Sequence, residues 1–153
     1  MNNETVQMII TLLGGLALFI FGMNFMSDGL QRSAGDKMRS ILAMLTRNPV
    51  LGAVAGALVT AVLQSSSATT VMVIGFVSAG LMKLPQAISV VLGANIGTTI
   101  TAQLIAFDIG DYAWLFVATG FIMYFFFKKK ELISYIGQTV FGFGVLFVGI
   151  NIM

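Results

Sequence analysis

Pro49 to Met82 is an uncharged run of 34 residues, and its middle reads Val62–Leu63–Gln64–Ser65–Ser66–Ser67–Ala68–Thr69–Thr70. As one straight helix it would reach about 50 Å, against a hydrocarbon core of about 30 Å. Its central glutamine, serines and threonines cost free energy in an apolar surrounding unless they find partners. A helix broken at Gln64–Ser67 resolves both conflicts. It divides the run into two short helices and opens backbone amides and carbonyls at the break. Open backbone at membrane depth is tolerated only where it is buried in protein or lines a wet cavity.

The rest of the chain places that run in a membrane. Apolar residues are 58% of the sequence and charged residues 9%, too little charge to solvate a globule of this length. The expected fold is an all-α integral membrane protein with spanning helices and one re-entrant broken-helix hairpin. Four more stretches carry no Asp, Glu, Lys or Arg: Thr5–Ser27, Leu84–Phe107, Tyr112–Phe127 and Leu132–Met153. Three exceed the roughly 18 residues that mark a spanning helix, and Tyr112–Phe127 spans with help from its flanks. Met1–Asn2–Asn3–Glu4 lacks the basic start of a signal peptide, so the first span is expected to be retained.

The segments divide as follows. Residues 5–27 form a span with Gly14, Gly15 and Gly22 for close packing. In residues 28–47 Leu30, Ala34, Met38, Ile41, Leu42 and Leu45 share a face away from Arg32, Asp36, Lys37 and Arg39, the pattern of an interfacial amphipathic helix. Asn48–Pro49 reads as an N-cap followed by a proline at the first helical position. Residues 49–82 are the hairpin, each arm too short for a full span. Residues 84–107 are a span, with a second interruption expected at Gly93–Ala94–Asn95–Ile96–Gly97–Thr98–Thr99. Asp108–Ile109–Gly110–Asp111 is a turn, and residues 112–127 and 132–153 are the last two spans.

Charge placement fits this layout. With the N-terminus outside and the hairpin entering and leaving on one side, Arg32, Lys37, Arg39, Arg47, Lys83, Lys128, Lys129 and Lys130 all fall in the cytoplasm. Treating residues 49–82 as one crossing splits them. The expected location is therefore the cell membrane, with basic loops cytoplasmic. An internal echo adds to this. Gly15, Gly22, Asn24 and Met26 recur in order and spacing as Gly142, Gly149, Asn151 and Met153. Residues 132–153 then read as the first helix of a second repeat running the opposite way, so that the chain is one half of an inverted-repeat transporter.

Several chemistries are excluded. The chain has no cysteine and no histidine, which removes disulfides, thiolate catalysis, imidazole relays and a transition-metal site of the usual kind. Ser65–Ser67 has no base partner, so an enzyme is not expected. No basic patch interleaves with aromatics, so no nucleic acid is expected. What remains is neutral oxygen: Gln64, Ser65, Ser66, Ser67, Thr69, Thr70, Asn95, Thr98, Thr99 and Thr101. Such oxygens and freed carbonyls suit Na+ as a coupling ion, and free amides where the second half-helix starts suit an anion. No organic cofactor is called for. Lone residues such as Thr60, Ser78 and Ser89 read as packing.

Gln64–Ser65–Ser66–Ser67, preceded by Gly56–Ala57–Leu58–Val59–Thr60 and followed by Gly93–Ala94–Asn95–Ile96–Gly97–Thr98–Thr99, resembles the sodium/phosphate cotransporter family, both its bacterial members and the animal type II cotransporters. The likeness covers essentially the whole chain. It implies sodium-driven uptake of inorganic phosphate. It implies a phosphate site on Gln64, Ser65, Ser66 and Ser67, and sodium sites among Gln64, Ser66, Thr69, Asn95, Thr98 and Thr99. Members of that family carry the hairpin twice in inverted halves, whereas this chain carries it once. The expected partners are therefore phosphate, sodium, the lipid bilayer and a second inverted half. The other reading is a non-transporting accessory or assembly subunit that keeps the half-transporter fold.

Overall fold

The structure, a computed structural model, describes residues 2–44, 48–107 and 109–153, with Ala43 described by its backbone alone. Leu45 and Arg47, expected at the end of the amphipathic segment, and Asp108, expected in the turn, lie outside the described residues. The described elements are helical: α1 (Asn3–Met44), α2 (Pro49–Leu63), α3 (Ser66–Ser78), α4 (Leu84–Ala106), α5 (Ala113–Phe126) and α6 (Glu131–Ile152), with a 3-10 turn at Gly110–Tyr112 before α5. Three stretches are long and apolar enough to cross a membrane: Asn3–Leu42, Leu84–Ala106 and Glu131–Ile152. The protein is an all-helical membrane protein.

Two compact units divide the chain. One is Met1–Ser33 with Asp108–Met153, and the other is Ala34–Phe107. In the first, α1 and α6 pack through glycine. A Cβ added at Gly15 would lie 2.8 Å from the Gly149 carbonyl oxygen, and one at Gly149 would lie 2.6 Å from that of Gly15. Gly22 and Gly142 stand in the same reciprocal relation, at 2.6 and 2.7 Å. Numbers rise on α1 as they fall on α6, so the pair is antiparallel. Gly137 and Gly144 turn the other side of α6 to α5, against Met123 and Val117. Phe25 meets Tyr124 and Phe141 edge-on at 5.6 and 5.7 Å between ring centroids.

In the second unit, Met38, Leu42, Ala55, Val59, Leu63, Val73, Met82, Ala87 and Val90 form one buried cluster. Here α2 and α4 touch through backbone. A Cβ at Gly56 would strike the Val90 carbonyl, one at Gly93 that of Ala53, and one at Gly97 that of Ala57. The register climbs together on both helices, from Gly52 beside Gln86 and Ser89 to Ala57 beside Gly97. The two helices are therefore parallel. The chain between them must run back, and α3 does so.

The local signals explain most boundaries. Asn48 Oδ1 accepts the Val50 N–H at 2.9 Å and Pro49 opens α2, as the sequence implies. After α3 the Gly80 N–H donates to Val77 O and the Leu81 N–H to Phe76 O, at 3.1 and 2.9 Å. Gly80 holds φ +75° there, a left-handed residue closing the helix by the Schellman pattern.

Two expectations are corrected. First, α1 is continuous for 42 residues, where a span ending at Ser27 and a separate helix from Asp28 were expected. A change of polarity is not a stop signal, and no proline or left-handed glycine interrupts the chain there. The amphipathic face is real, but Ala34, Met38, Ile41 and Leu42 pack on protein, in the core of the second unit. Second, α4 is unbroken through Gly93–Thr99. Those glycines serve close approach to α2, and a helix can carry them without opening.

The close α2–α4 contact gives a test. Gly93→Val should cost about 3 kcal/mol or more of stability, because the new methyls meet backbone that cannot rotate aside. Gly14→Val, whose Cβ meets nothing within 4 Å, should change stability by less than about 0.5 kcal/mol. Unfolding in mixed micelles measures both.

Candidate functional site

The break falls at Gln64–Ser65. Gln64 closes α2 in the left-handed region, φ 57° and ψ 27°, with its N–H still donating to Thr60 O at 2.7 Å. It is the one non-glycine residue with positive φ among the described residues, and such a conformation is held only where the surroundings enforce it. The Gln64 side chain supplies part of that enforcement. Its Nε2 donates to the Ala61 carbonyl, and its Oε1 accepts from the Thr101 hydroxyl on α4. The break is thereby tied to the neighbouring helix.

Ser65 caps the second helix. Its Oγ accepts the Ala68 N–H at 3.2 Å and its carbonyl accepts the Thr69 N–H at 3.2 Å. The amides of Ser65, Ser66 and Ser67 stand before the intrahelical ladder begins. The hydroxyls of Ser66 and Ser67 make no hydrogen bond to any described residue, and Ser67 is exposed. The start of α3 thus offers backbone donors, two serine hydroxyls and the positive end of a helix dipole. No ionisable residue lies on α2 or α3.

Across the break, Thr60 Oγ1 donates to Thr69 Oγ1 at 2.9 Å. Nine residues of continuous helix would hold them about 13 Å apart, so this bond also reports the reversal of the chain. Thr69 donates onward to Ser65 O at 3.2 Å. Both threonines are buried, at 1% and 0% exposure. Thr60 is therefore a cross-link of the break, which corrects its reading as simple packing. A signal was available: Thr60 lies four residues before Gln64, and Thr69 four after Ser65.

The α4 residues separate. Gly93, Gly97 and Thr101 follow one another every four residues on the face toward α2. Asn95 and Thr99 lie about 200° around the helix from Gly93 and Gly97. Thr98 and Thr99 donate to carbonyls of their own helix, Ala94 at 3.1 Å and Ile96 at 2.7 Å. Asn95 is exposed. In this unit the residue of α4 that meets the break is Thr101, and none of Asn95, Thr98 and Thr99 hydrogen-bonds to it.

A run broken at Gln64, cross-linked by Thr60 and Thr69 and clamped by Thr101, makes this an all-helical membrane protein with a broken apolar run. Within that class the chain belongs to the Na+/Pi-cotransporter family, which it matches over residues 18–153. YjbB of Escherichia coli K12, named for inorganic phosphate export, is 30% identical over 145 residues, 95% of this chain and 26% of YjbB. YqeW of Bacillus subtilis is 33% identical over 136 residues, 89% of this chain and 44% of YqeW. The human sodium-dependent phosphate transport protein 2B is 38% identical over 111 residues, 71% of this chain and 16% of that protein. The chain thus spans less than half the length of each. No solved structure matches it.

The cross-link predicts coupled stability. Thr69→Val should cost about 1–3 kcal/mol, since it strands the buried Thr60 hydroxyl, and Thr60→Val less, since the Thr69 hydroxyl still donates to Ser65 O. The double variant should cost little more than Thr69→Val alone, because both remove the Thr60–Thr69 bond. A double-mutant cycle read by unfolding checks it.

Proposed function

We propose that this chain is one of two inverted halves of a sodium-coupled phosphate transporter, with its substrate site at the start of α3. The observation that carries the reading is the set of donors at Ser65, Ser66 and Ser67, amides outside the ladder beside the hydroxyls of Ser66 and Ser67, which bond to no described residue. A phosphate oxyanion takes several N–H and O–H donors at once and gains from the helix dipole. Gln64 acts mainly by holding the break open to ligand. Na+ is the coupling ion, bound by neutral oxygens at the end of α2 and by Ser66 and Thr69, its charge offsetting that of phosphate. Asn95, Thr98 and Thr99 are read as further sodium ligands, on the side of α4 that does not face α2. Direction of transport follows the combined gradients, which accommodates relatives named for export and for sodium-dependent transport alike.

Three features support the two-half and re-entrant readings. With 15 and 13 residues, α2 and α3 are about 22 and 20 Å long, short of a hydrocarbon core of about 30 Å. The repeated Gly15, Gly22 and Gly142, Gly149 pack with their roles exchanged, Gly15 on Gly149 and Gly22 on Gly142. Exchange of equivalent residues is the mark of a two-fold relation between helices. YqeW, of which 136 residues are 44%, is about 310 residues long, room for two units of this size.

The test is reconstitution into liposomes with an inward sodium gradient and labelled phosphate. The chain alone is expected not to transport, and a fusion carrying an inverted second half is expected to do so. In that fusion Ser66→Ala should weaken phosphate binding roughly 10- to 150-fold, the loss of one hydrogen bond to a charged ligand. Uptake by the fusion in sodium-free buffer under a pH gradient would overturn the coupling assignment. Unchanged binding by both Ser66→Ala and Ser67→Ala would overturn the site.

A further inference from the structure

The second unit carries a cleft that the transport site does not use. It encloses about 400 Å³ and is lined by Arg39 of α1, by Val71, Met72, Gly75 and Phe76 of α3, and by Ala79 and Leu81 beyond it. The α3 residues recur at the spacing of one helical stripe, so the apolar wall runs along α3 for about 8 Å. Arg39 is exposed, and among the described residues no carboxylate pairs with it, although Asp36 is three residues away on the same helix. Gly75 leaves the floor of the cleft open, and a Cβ there would meet nothing within 4 Å.

We propose that this cleft binds one anionic phospholipid, its phosphodiester on Arg39 and an acyl chain along Val71, Gly75 and Phe76. Charge complementarity and the apolar wall together favour that occupant. A guanidinium takes a phosphate oxygen pair in its planar fork. A membrane protein meets such headgroups at the depth where its arginines reach the interface. A zwitterionic lipid fills the same apolar wall but carries its own cation, which competes with Arg39. The occupant would brace α3, the helix that begins at the break, so lipid composition would act on the half of the hairpin that carries the serines.

The experiment uses the purified chain in nanodiscs of phosphatidylcholine with and without phosphatidylglycerol. Native mass spectrometry reads retained lipid and thermal unfolding reads stabilisation. Retained phosphatidylglycerol, and a raised midpoint in its presence, are expected. Arg39→Gln should cut retention about five- to tenfold, and Arg39→Lys should restore part of it, since it returns the charge but not the planar fork. Gly75→Leu, which fills the cleft where nothing is displaced, should abolish retention without loss of folding. Lys129→Gln is the control for general surface charge and should retain lipid. Equal retention of phosphatidylcholine, or undiminished phosphatidylglycerol binding by both Arg39→Gln and Gly75→Leu, overturns the proposal. Displacement of the lipid by inorganic phosphate alone also overturns it, because the site would then read a free anion.

Discussion

A helix that opens in the middle of an apolar run must account for every backbone group that it frees, because hydrocarbon offers no water to take them. At Gln64–Ser65 that account is nearly closed by neighbours in sequence. Ser65 caps Ala68, Gln64 turns its amide onto Ala61, and Thr69 reaches back to Ser65 O. Two contacts then fix the geometry from farther away: Thr60 to Thr69 across the break, and Thr101 of α4 to Gln64. What is left over is the first amides of α3 and the hydroxyls of Ser66 and Ser67, the donors on which the proposed phosphate site rests.

The clamp depends on how closely α4 can approach α2, and that depends on glycine. Gly56, Gly93 and Gly97 bring the two backbones within reach of each other's carbonyls, close enough for Thr101, one turn past Gly97, to meet Gln64. In the other unit Gly15, Gly22, Gly142 and Gly149 do the same for α1 and α6. Association of helices in lipid has little hydrophobic drive and rests on packing and hydrogen bonds. Small residues at regular spacing are therefore the main fold determinant outside the break.

Much of the element order was legible from residue chemistry. Asn48–Pro49 marked the start of α2, the over-long run with Gln-Ser-Ser-Ser marked the break, and the lysine cluster marked the gap between α5 and α6. Two readings failed for the same physical reason. Asp28–Gly29 and Gly93–Thr99 both look like interruptions, but neither has the left-handed residue or proline that ends a helix. Their polar groups are used sideways. Asp28 accepts from the buried Gln138 of α6 at 3.0 Å and pairs with Arg32 at 3.2 Å, and the threonines of α4 bond to their own helix. Composition cannot tell a polar residue that stops a helix from one that serves a neighbour.

The sequence by itself determined that this is a helical membrane protein and where its long apolar run must open. Those follow from hydrophobicity, length and the cost of polar groups in lipid, all local to the chain. Only the tertiary structure decided which oxygens are spent on the break and which remain open. Thr60 and Thr69 are nine residues apart, and Gln64 and Thr101 thirty-seven. Their pairing depends on the parallel course of α2 and α4 and on the register that the glycine contacts impose. That register is a property of two helices together, which neither helix carries in its own sequence.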